Sequence, residues 1–181
     1  MSKTIYVVAS QTGTILSRLL KVITRAPYNH ASISLEDDLS VMYSFGRRRA
    51  YNPFIGGFVA ESSRWGTFLR FPETNAAVVS IDVDDEVYAE MERYLAAMYS
   101  NRKSYSYNYL GLGLAAFNVP FKSENRFYCS EFVRHMLLNF DVVDKSGLGE
   151  ITHPKDFLEL PSANMVYRGL LREFPGEKRP S

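Results

Sequence analysis

Short runs of apolar and β-branched residues recur along the chain at spacings typical of β-strands. Two of these runs, residues 5–9 and 76–83, are almost continuous in apolar character and are bounded by turn-forming residues, which predicts buried strands. Residues 165–167 form a shorter run near the end of the chain. The pattern predicts that these three segments are strands of a sheet.

A further pair of runs has the form of a β-hairpin. Two segments of alternating polarity flank a turn-forming acidic segment, with the runs at residues 30–35 and 39–45 and the turn at residues 36–38. A turn centred there places Ser44 or Phe45 opposite His30 on the paired strand. This register decides which side chains can meet His30.

Helical spacing of apolar residues marks other parts of the chain. We expect helices over about residues 14–25, 84–98 and 129–139, and a further helix start at residues 152–156. Residues 46–72 are glycine-rich and irregular, which predicts a long connection with one or two short strands. Residues 105–114 fit either a short helix or an extended approach to the cysteine that follows.

Composition favours a single globular domain of residues 1–181, with a partly ordered tail from residue 170. With 181 residues, 46% of them apolar, the chain can bury one sizeable core and is too short for two comfortable domains. The 21 Lys and Arg residues nearly balance the 20 Asp and Glu residues, so no overall charge favours nucleic acid or an anionic membrane as a partner. No apolar run is long enough for a membrane span or a secretory signal, so we expect a cytoplasmic protein without an integral membrane segment. The oligomeric state stays open.

The only cysteine, Cys129, lies where the pattern predicts that a helix begins. A single cysteine cannot form an internal disulfide. At a helix N terminus, the free N–H groups and the helix dipole favour a thiolate, and the same N–H groups can hold an oxyanion. We interpret Cys129 as a candidate nucleophile, the alternative being an inert buried residue.

A cysteine nucleophile needs a base, and the chain offers three histidines. His135 lies about 240° around the same predicted helix from Cys129 and cannot fold back onto it. His153, beside a proline, is better explained as part of a helix cap, although a loop residue could approach the site. His30 begins a hairpin strand that would hold its side chain rigidly, which makes it the candidate base. One cysteine and three scattered histidines lack the spacing of metal ligands, so we expect neither a metal nor a cofactor.

A base of this kind is oriented by a further polar group, and the hairpin register points to Ser44. A hydroxyl could fix the tautomer but would not stabilise imidazolium as a carboxylate does. Candidates for oxyanion or substrate binding are Gln11, Tyr28, Tyr128 and Arg47. The arginine could bind a carboxylate or phosphate through two hydrogen bonds, although a solvated turn is the simpler explanation of its position.

Three stretches carry a resemblance to a known family: Asn29-His30-Ala31-Ser32-Ile33, Tyr128-Cys129-Ser130-Glu131-Phe132-Val133 and Thr152-His153-Pro154-Lys155-Asp156-Phe157-Leu158. They resemble the permuted papain-like hydrolases related to NlpC-type cell-wall peptidases, in particular the YiiX-like branch. Histidine precedes cysteine in that family because its fold is circularly permuted. The resemblance implies an α+β fold in which a cysteine-bearing helix packs against an antiparallel sheet that carries the histidine.

The same resemblance implies hydrolysis of an amide, ester or thioester, with Cys129 as nucleophile and His30 as base. The third family position, commonly Glu or His on the strand after the histidine strand, falls at about Ser44, where this chain departs from the family. Acyltransferases similar to lecithin retinol acyltransferase share the permuted fold, but their Asn-Cys-Glu-His signature is absent here.

Three functions are therefore compared. The leading hypothesis is a cysteine hydrolase acting on a small peptide, a peptidoglycan fragment or an acyl conjugate. The departure at Ser44 motivates the second, a papain-like binding module that has lost catalysis. The third is lipid-type acyl transfer or thioester hydrolysis.

Overall fold

The structure, a computed structural model, describes residues 2–12, 26–49, 52–117, 119–121, 123 and 125–175. Eight strands are present in this part of the chain: β1 Ser2–Gln11, β2 His30–Ser34, β3 Met42–Arg49, β4 Asn52–Glu61, β5 Asn75–Asp84, β6 Ser106–Tyr107, β7 Arg126–Phe127 and β8 Asn164–Leu170. Six of them form one antiparallel sheet in the order β4-β3-β2-β1-β5-β8. Strands β6 and β7 form a separate parallel pair.

The described residues also form four α-helices: α1 Thr67–Arg70, α2 Asp85–Ser100, α3 Tyr109–Ala115 and α4 Cys129–Asn139. Short 3-10 segments cover Arg102–Ser104, Lys145–Gly147, Pro154–Glu159 and Leu171–Glu173. Helix α2 begins with Asp85 and Glu86, whose charges suit the positive end of the helix dipole. None of the helices in the described ranges is both long and apolar enough to cross a bilayer.

Both faces of the sheet are buried, which explains why residues 5–9 are apolar without alternation. Ile5 and Val7 belong to a large cluster that includes residues of α2 and α4, whereas Tyr6 and Val8 belong to a smaller cluster with Phe68 and Leu171. Within the large cluster, the ring of Phe132 on α4 lies 5.4 Å from the rings of both Phe45 and Phe58. These contacts hold α4 against the strands on one side of the sheet.

The predicted α+β class, with an antiparallel sheet packed against helices, is confirmed. Strands were predicted within β1, β2, β3, β5 and β8, and helices within α2 and α4. Residues 105–114 combine both expected alternatives, since they contain strand β6 and most of helix α3.

One expectation was wrong, and two others fall partly or wholly outside the described residues. Residues 46–72 are not mainly a connection, because β3 continues to Arg49 and β4 adds ten residues despite Pro53, Gly56 and Gly57. Of the partly ordered tail predicted from residue 170, the structure describes residues 170–175, where Leu171 is buried. The helix predicted over residues 14–25 lies outside the described residues.

Candidate active site

The site begins where helix α4 starts. Cys129 is its first residue and is almost fully buried, with 3% of its surface exposed. The helix start is held by Glu131, whose carboxylate accepts hydrogen bonds from the Tyr128 backbone N–H at 3.2 Å and from the Asn108 side-chain amide at 3.3 Å. The carboxylate therefore fixes the backbone that carries the thiol and ties it to the segment before α3.

The start of strand β2 supplies the backbone that contacts Cys129. The register of β2 and β3 is set by the pairing of Ile33 with Tyr43, and the Ser44 hydroxyl donates a hydrogen bond to the Ala31 carbonyl at 2.6 Å. The Cys129 sulfur lies 3.9 Å from the Asn29 carbonyl oxygen. The backbone N–H of Ala31 donates a hydrogen bond to the same sulfur. The thiol thus contacts the backbone at the start of β2, beside the histidine.

His30 lies between a carboxylate and the thiol. Its Nε2 is 2.8 Å from Oε2 of Glu61, the last residue of β4, and the same oxygen accepts a hydrogen bond from the Ser32 hydroxyl at 2.9 Å. The imidazole also shares a hydrogen bond with Cys129. Because Nε2 faces Glu61, Nδ1 is the ring nitrogen left for the sulfur. Such an arrangement would allow the three groups to act as a nucleophile, a base and an orienting acid.

The electrostatics of the three groups favour charge separation. Burial is the largest influence on the pKa of His30 and lowers it, but the Glu61 carboxylate and the hydrogen bond to Cys129 raise the pKa well above its ordinary value. Burial likewise raises the pKa of Cys129, yet the hydrogen bond and charge of His30 bring it below its ordinary value. The N–H groups of Ala31 and Ser130 contribute in the same direction. Both shifts favour a thiolate beside an imidazolium over the neutral pair.

Tyr107 is a further contact of the thiol that the sequence did not single out as a site residue. Its side chain hydrogen-bonds to Cys129, and burial, followed by the charge of Cys129, raises the pKa of the phenol well above its ordinary value. The hydroxyl therefore stays protonated and can donate. Strand β6 places it there, since Tyr107 pairs with Phe127 on β7, two residues before the cysteine.

A small pocket opens beside Cys129. Its volume is about 40 Å³, and its lining includes Tyr28, Tyr128 and His153 together with the apolar residues Ala26, Leu112, Ala115, Ala116 and Pro154. Two of the predicted substrate-binding residues, Tyr28 and Tyr128, thus share a pocket with the thiol. The backbone N–H of His153 donates to Asp156 at the start of a 3-10 segment, which agrees with the predicted cap.

The other candidates occupy different places. Gln11 ends β1, one residue beyond Ser10, which pairs with His30. Arg47 lines a separate cavity that also reaches Glu61. The side chain of His135, on α4, contacts α2, where its Nε2 lies 2.9 Å from the Tyr94 hydroxyl. Among the described residues, no cluster of three or more His, Cys, Asp or Glu side chains is arranged to hold a metal ion.

The structure corrects the expected neighbour of the imidazole. Ser44 is fully buried and donates to the Ala31 carbonyl, while Glu61 bonds to the His30 ring. The pairing of Ile33 with Tyr43, continued along β2 and β3, brings Gly46 rather than Ser44 or Phe45 opposite His30. A Cβ on Gly46 would indeed lie 3.9 Å from His30 Cε1 and 3.4 Å from Glu61 Oε1.

Comparisons of the sequence with protein-family models and with curated proteins found no match. The chemistry of the site therefore rests on its geometry.

Proposed function

We propose that this protein is a cysteine hydrolase that cleaves an amide, peptide-like bond or an acyl bond, with Cys129 as nucleophile and His30 as base. One observation carries the proposal: the His30 ring lies between the Glu61 carboxylate and a thiol at the start of a helix. Glu61 has the role first assigned to Ser44, and a carboxylate can stabilise the imidazolium.

The chain order of the site supports a permuted papain-like fold as part of this proposal. His30 lies on a strand of an antiparallel sheet and precedes Cys129, which begins a helix packed on that sheet. The order of His30 and Cys129 and the packing of the helix on the sheet are features that the resemblance implies. Glu61 is a carboxylate, as the third position of that family commonly is, but it lies on β4 and not on the strand directly after the histidine strand.

The reaction would proceed through a thioester. The Cys129 proton passes to His30, and the thiolate attacks the carbonyl carbon, forming a C–S bond and an oxyanion. The Tyr107 hydroxyl and N–H groups at the start of α4 are the candidate oxyanion donors. Collapse breaks the bond to the leaving group, which takes the proton from His30. Water then gives a proton to His30 and attacks the thioester, and the second collapse releases the acid and returns the proton to the sulfur.

Thioester or acyl-ester hydrolysis is the second candidate, favoured by the pocket beside the thiol. Five of its lining residues are alanine, leucine or proline, and its volume is about 40 Å³. A space of this kind suits a short apolar acyl group better than a charged side chain. Peptides, peptidoglycan fragments and acyl conjugates all remain candidate substrates.

Alkylation of Cys129 tests the proposal directly, because the chain has no other cysteine. Iodoacetamide rates between pH 4 and pH 10, followed by intact mass, should give a titration midpoint for Cys129 below the free-thiol value of about 8.5. Replacing His30 with Ala should move the midpoint upward. A midpoint at the free-thiol value in both proteins would exclude the thiolate–imidazolium pair and with it the hydrolase.

Hydrolysis separates the hydrolase from an inactive binding module. Wild type and Cys129→Ser are compared on acyl thioesters, acyl esters and amides, with release of the free acid as the readout. We expect turnover by the wild type only. A reactive thiol without turnover on any of these classes would favour the binding module, and transfer to an added amine or alcohol in preference to water would favour an acyltransferase.

A further inference from the structure

Three consecutive arginines, Arg47, Arg48 and Arg49, end strand β3, and the first two have separate surroundings. Arg48 donates to the backbone carbonyls of Arg102 and Tyr105, which ties β3 to the segment before β6. The side chain of Arg49 lies outside the described residues. Arg47 is half-buried and lines a cavity of about 220 Å³ that also reaches Glu61. We call this space the arginine cavity; its other lining residues are Val59, Ala60, Trp65, Gly66, Thr67 and Arg70.

Arg47 is close to the tyrosines that adjoin the thiol. It pairs across the sheet with Gly56, where an added Cβ would lie 2.7 Å from both Tyr107 Cβ and the Tyr109 hydroxyl. The rings of Tyr107 and Tyr109 are 4.6 Å apart, and Tyr107 bonds to Cys129. Burial raises the pKa of Tyr109 and the charge of Arg47 opposes it, so the guanidinium acts on this hydroxyl. A cation therefore lies beside the reacting centre.

The charges around the arginine cavity favour an anion. Arg47 and Arg70 both line it, and Trp65, with 46% of its surface exposed, stands at its rim. Glu61 is the one carboxylate among the lining residues, and its Oε2 is already bonded to His30 and Ser32. In the part of the chain that the structure describes, no carboxylate forms an ion pair with Arg47.

We propose that the arginine cavity binds a carboxylate of the substrate through Arg47, so that the bond cleaved at Cys129 belongs to an acyl or peptidyl conjugate bearing a free carboxylate. A guanidinium matches the planar carboxylate with two parallel N–H donors. Glu61 links the two sites, since it touches His30 and lines the cavity. This inference rests on the proposed hydrolase, whose substrate class it specifies.

Two alkylating reagents that differ only in a carboxylate test this inference without any turnover. Iodoacetyl-glycine and iodoacetyl-glycinamide both alkylate Cys129. In low-salt buffer, the rate with the first reagent is divided by the rate with the second. This ratio is then divided by the same ratio measured with N-acetylcysteine, which gives the corrected ratio. We expect the wild type to prefer the carboxylate reagent by about ten-fold, the scale of one charge-assisted hydrogen bond. The preference should weaken at high salt, since the site is partly exposed.

The variants separate a specific subsite from general charge. Arg47→Met should bring the ratio close to that of N-acetylcysteine. Any change in the thiol itself alters both reagent rates and cancels in the ratio, and a thermal unfolding midpoint equal to that of the wild type shows that the variant is still folded. Arg47→Lys should keep part of the preference. Arg93→Met is the matched control, because Arg93 is an exposed cation on α2 whose only described ion pair is with Glu90; its ratio should equal that of the wild type.

A corrected ratio near one in the wild type, or one that Arg47→Met leaves unchanged, would overturn the carboxylate subsite. The hydrolase is judged separately, by the glycinamide rate and its response to His30→Ala. If that rate matched a free thiol while the ratio still depended on Arg47, the subsite would stand and the hydrolase would fall.

Discussion

The imidazole of His30 is controlled by two side chains that come from distant parts of the chain. Glu61 bonds to one ring nitrogen, and the thiol of Cys129 bonds to the ring as well. A ring held on both sides keeps one tautomer and one orientation, and the carboxylate favours its charged form. At the scale of single residues, the reactivity of the thiol therefore depends on a group it does not touch.

If the proposed hydrolase is correct, replacing Glu61 with Gln should impair catalysis while the fold is retained. The amide can still bond to the ring, but it no longer stabilises imidazolium, so the pKa of His30 should fall and less thiolate should form at neutral pH. We expect kcat/KM to fall roughly a hundred-fold, the lower range for a positioned base. Measurement of kcat/KM and of the iodoacetamide midpoint for the same protein checks this.

Ser44→Ala is the matched comparison, because it removes a hydroxyl that bonds to the Ala31 carbonyl rather than to the ring. It should cost about 1 kcal/mol of unfolding free energy and leave the iodoacetamide midpoint unchanged. If the iodoacetamide midpoint changed in Ser44→Ala and not in Glu61→Gln, the serine would be the partner of His30.

Tyr107→Phe should remove a hydrogen bond from the sulfur and leave the ring in place. The ring packs against Tyr109, and Phe can keep that contact. If the hydroxyl stabilises the oxyanion, kcat should fall about ten-fold or more with little change in KM. Single-turnover kinetics on an acyl ester would measure the loss of rate in Tyr107→Phe and in Tyr109→Phe. An equal loss in both variants would assign the effect to packing.

At the scale of elements, the site depends on the close approach of β4 to β6. The two strands meet at Gly56, where an added Cβ would lie 2.7 Å from Tyr107 Cβ. Glycine is needed there because any side chain would push the strands apart. Strand β4 itself carries Glu61 to His30, so one strand positions both the orienting acid and the tyrosine.

Gly56→Ala should therefore displace Tyr107 and lower stability by about 1–3 kcal/mol, as overpacking does. Gly113→Ala is the control, since nothing lies within 4 Å of an added Cβ there and alanine in helix α3 should gain up to about 1 kcal/mol. Urea unfolding of the two variants and the wild type measures whether each substitution lowers or raises the free energy of unfolding. Equal stability of Gly56→Ala and wild type would contradict the close packing of β4 on β6.

At the scale of the whole molecule, two histidines make the stability depend on pH in opposite directions. The pKa of His30 is raised in the folded protein, so its stabilising contribution is present below about pH 6.5, the unfolded value, and is lost as pH rises through the folded pKa. Burial lowers the pKa of His135, so the folded state binds fewer protons there and stability is lost as pH falls below about 6.5.

His135→Gln should reduce the loss of stability in acid. An amide oxygen can still accept the Tyr94 hydroxyl, and no buried charge forms at low pH. Thermal unfolding at pH 7 and pH 5 should show a smaller drop in Tm for the variant than for the wild type. If the two drops were equal, protonation of His135 would not contribute to acid sensitivity.

The site residues that could be predicted are those marked by the sequence pattern immediately around them. Cys129 and His30 could be selected from the helix and strand patterns around them, because apolar periodicity and turn residues are local properties. Glu61 could not, because Pro53, Gly56 and Gly57 obscured the strand that carries it. The hairpin register was wrong for a related reason: Leu39, buried at a φ of 53°, belongs to a loop wider than the tight turn that the acidic residues suggested.

Local sequence was thus sufficient for the α+β class, for the strand that begins at His30 and for the helix that begins at Cys129, because short-range spacing encodes which face of an element is buried. The tertiary structure alone decided that Glu61 orients the histidine, that Tyr107 meets the sulfur and that Arg47 lines a cavity beside them. Those contacts depend on strand register and on the packing of distant segments, where a shift of one residue sends a side chain to the opposite face of the sheet.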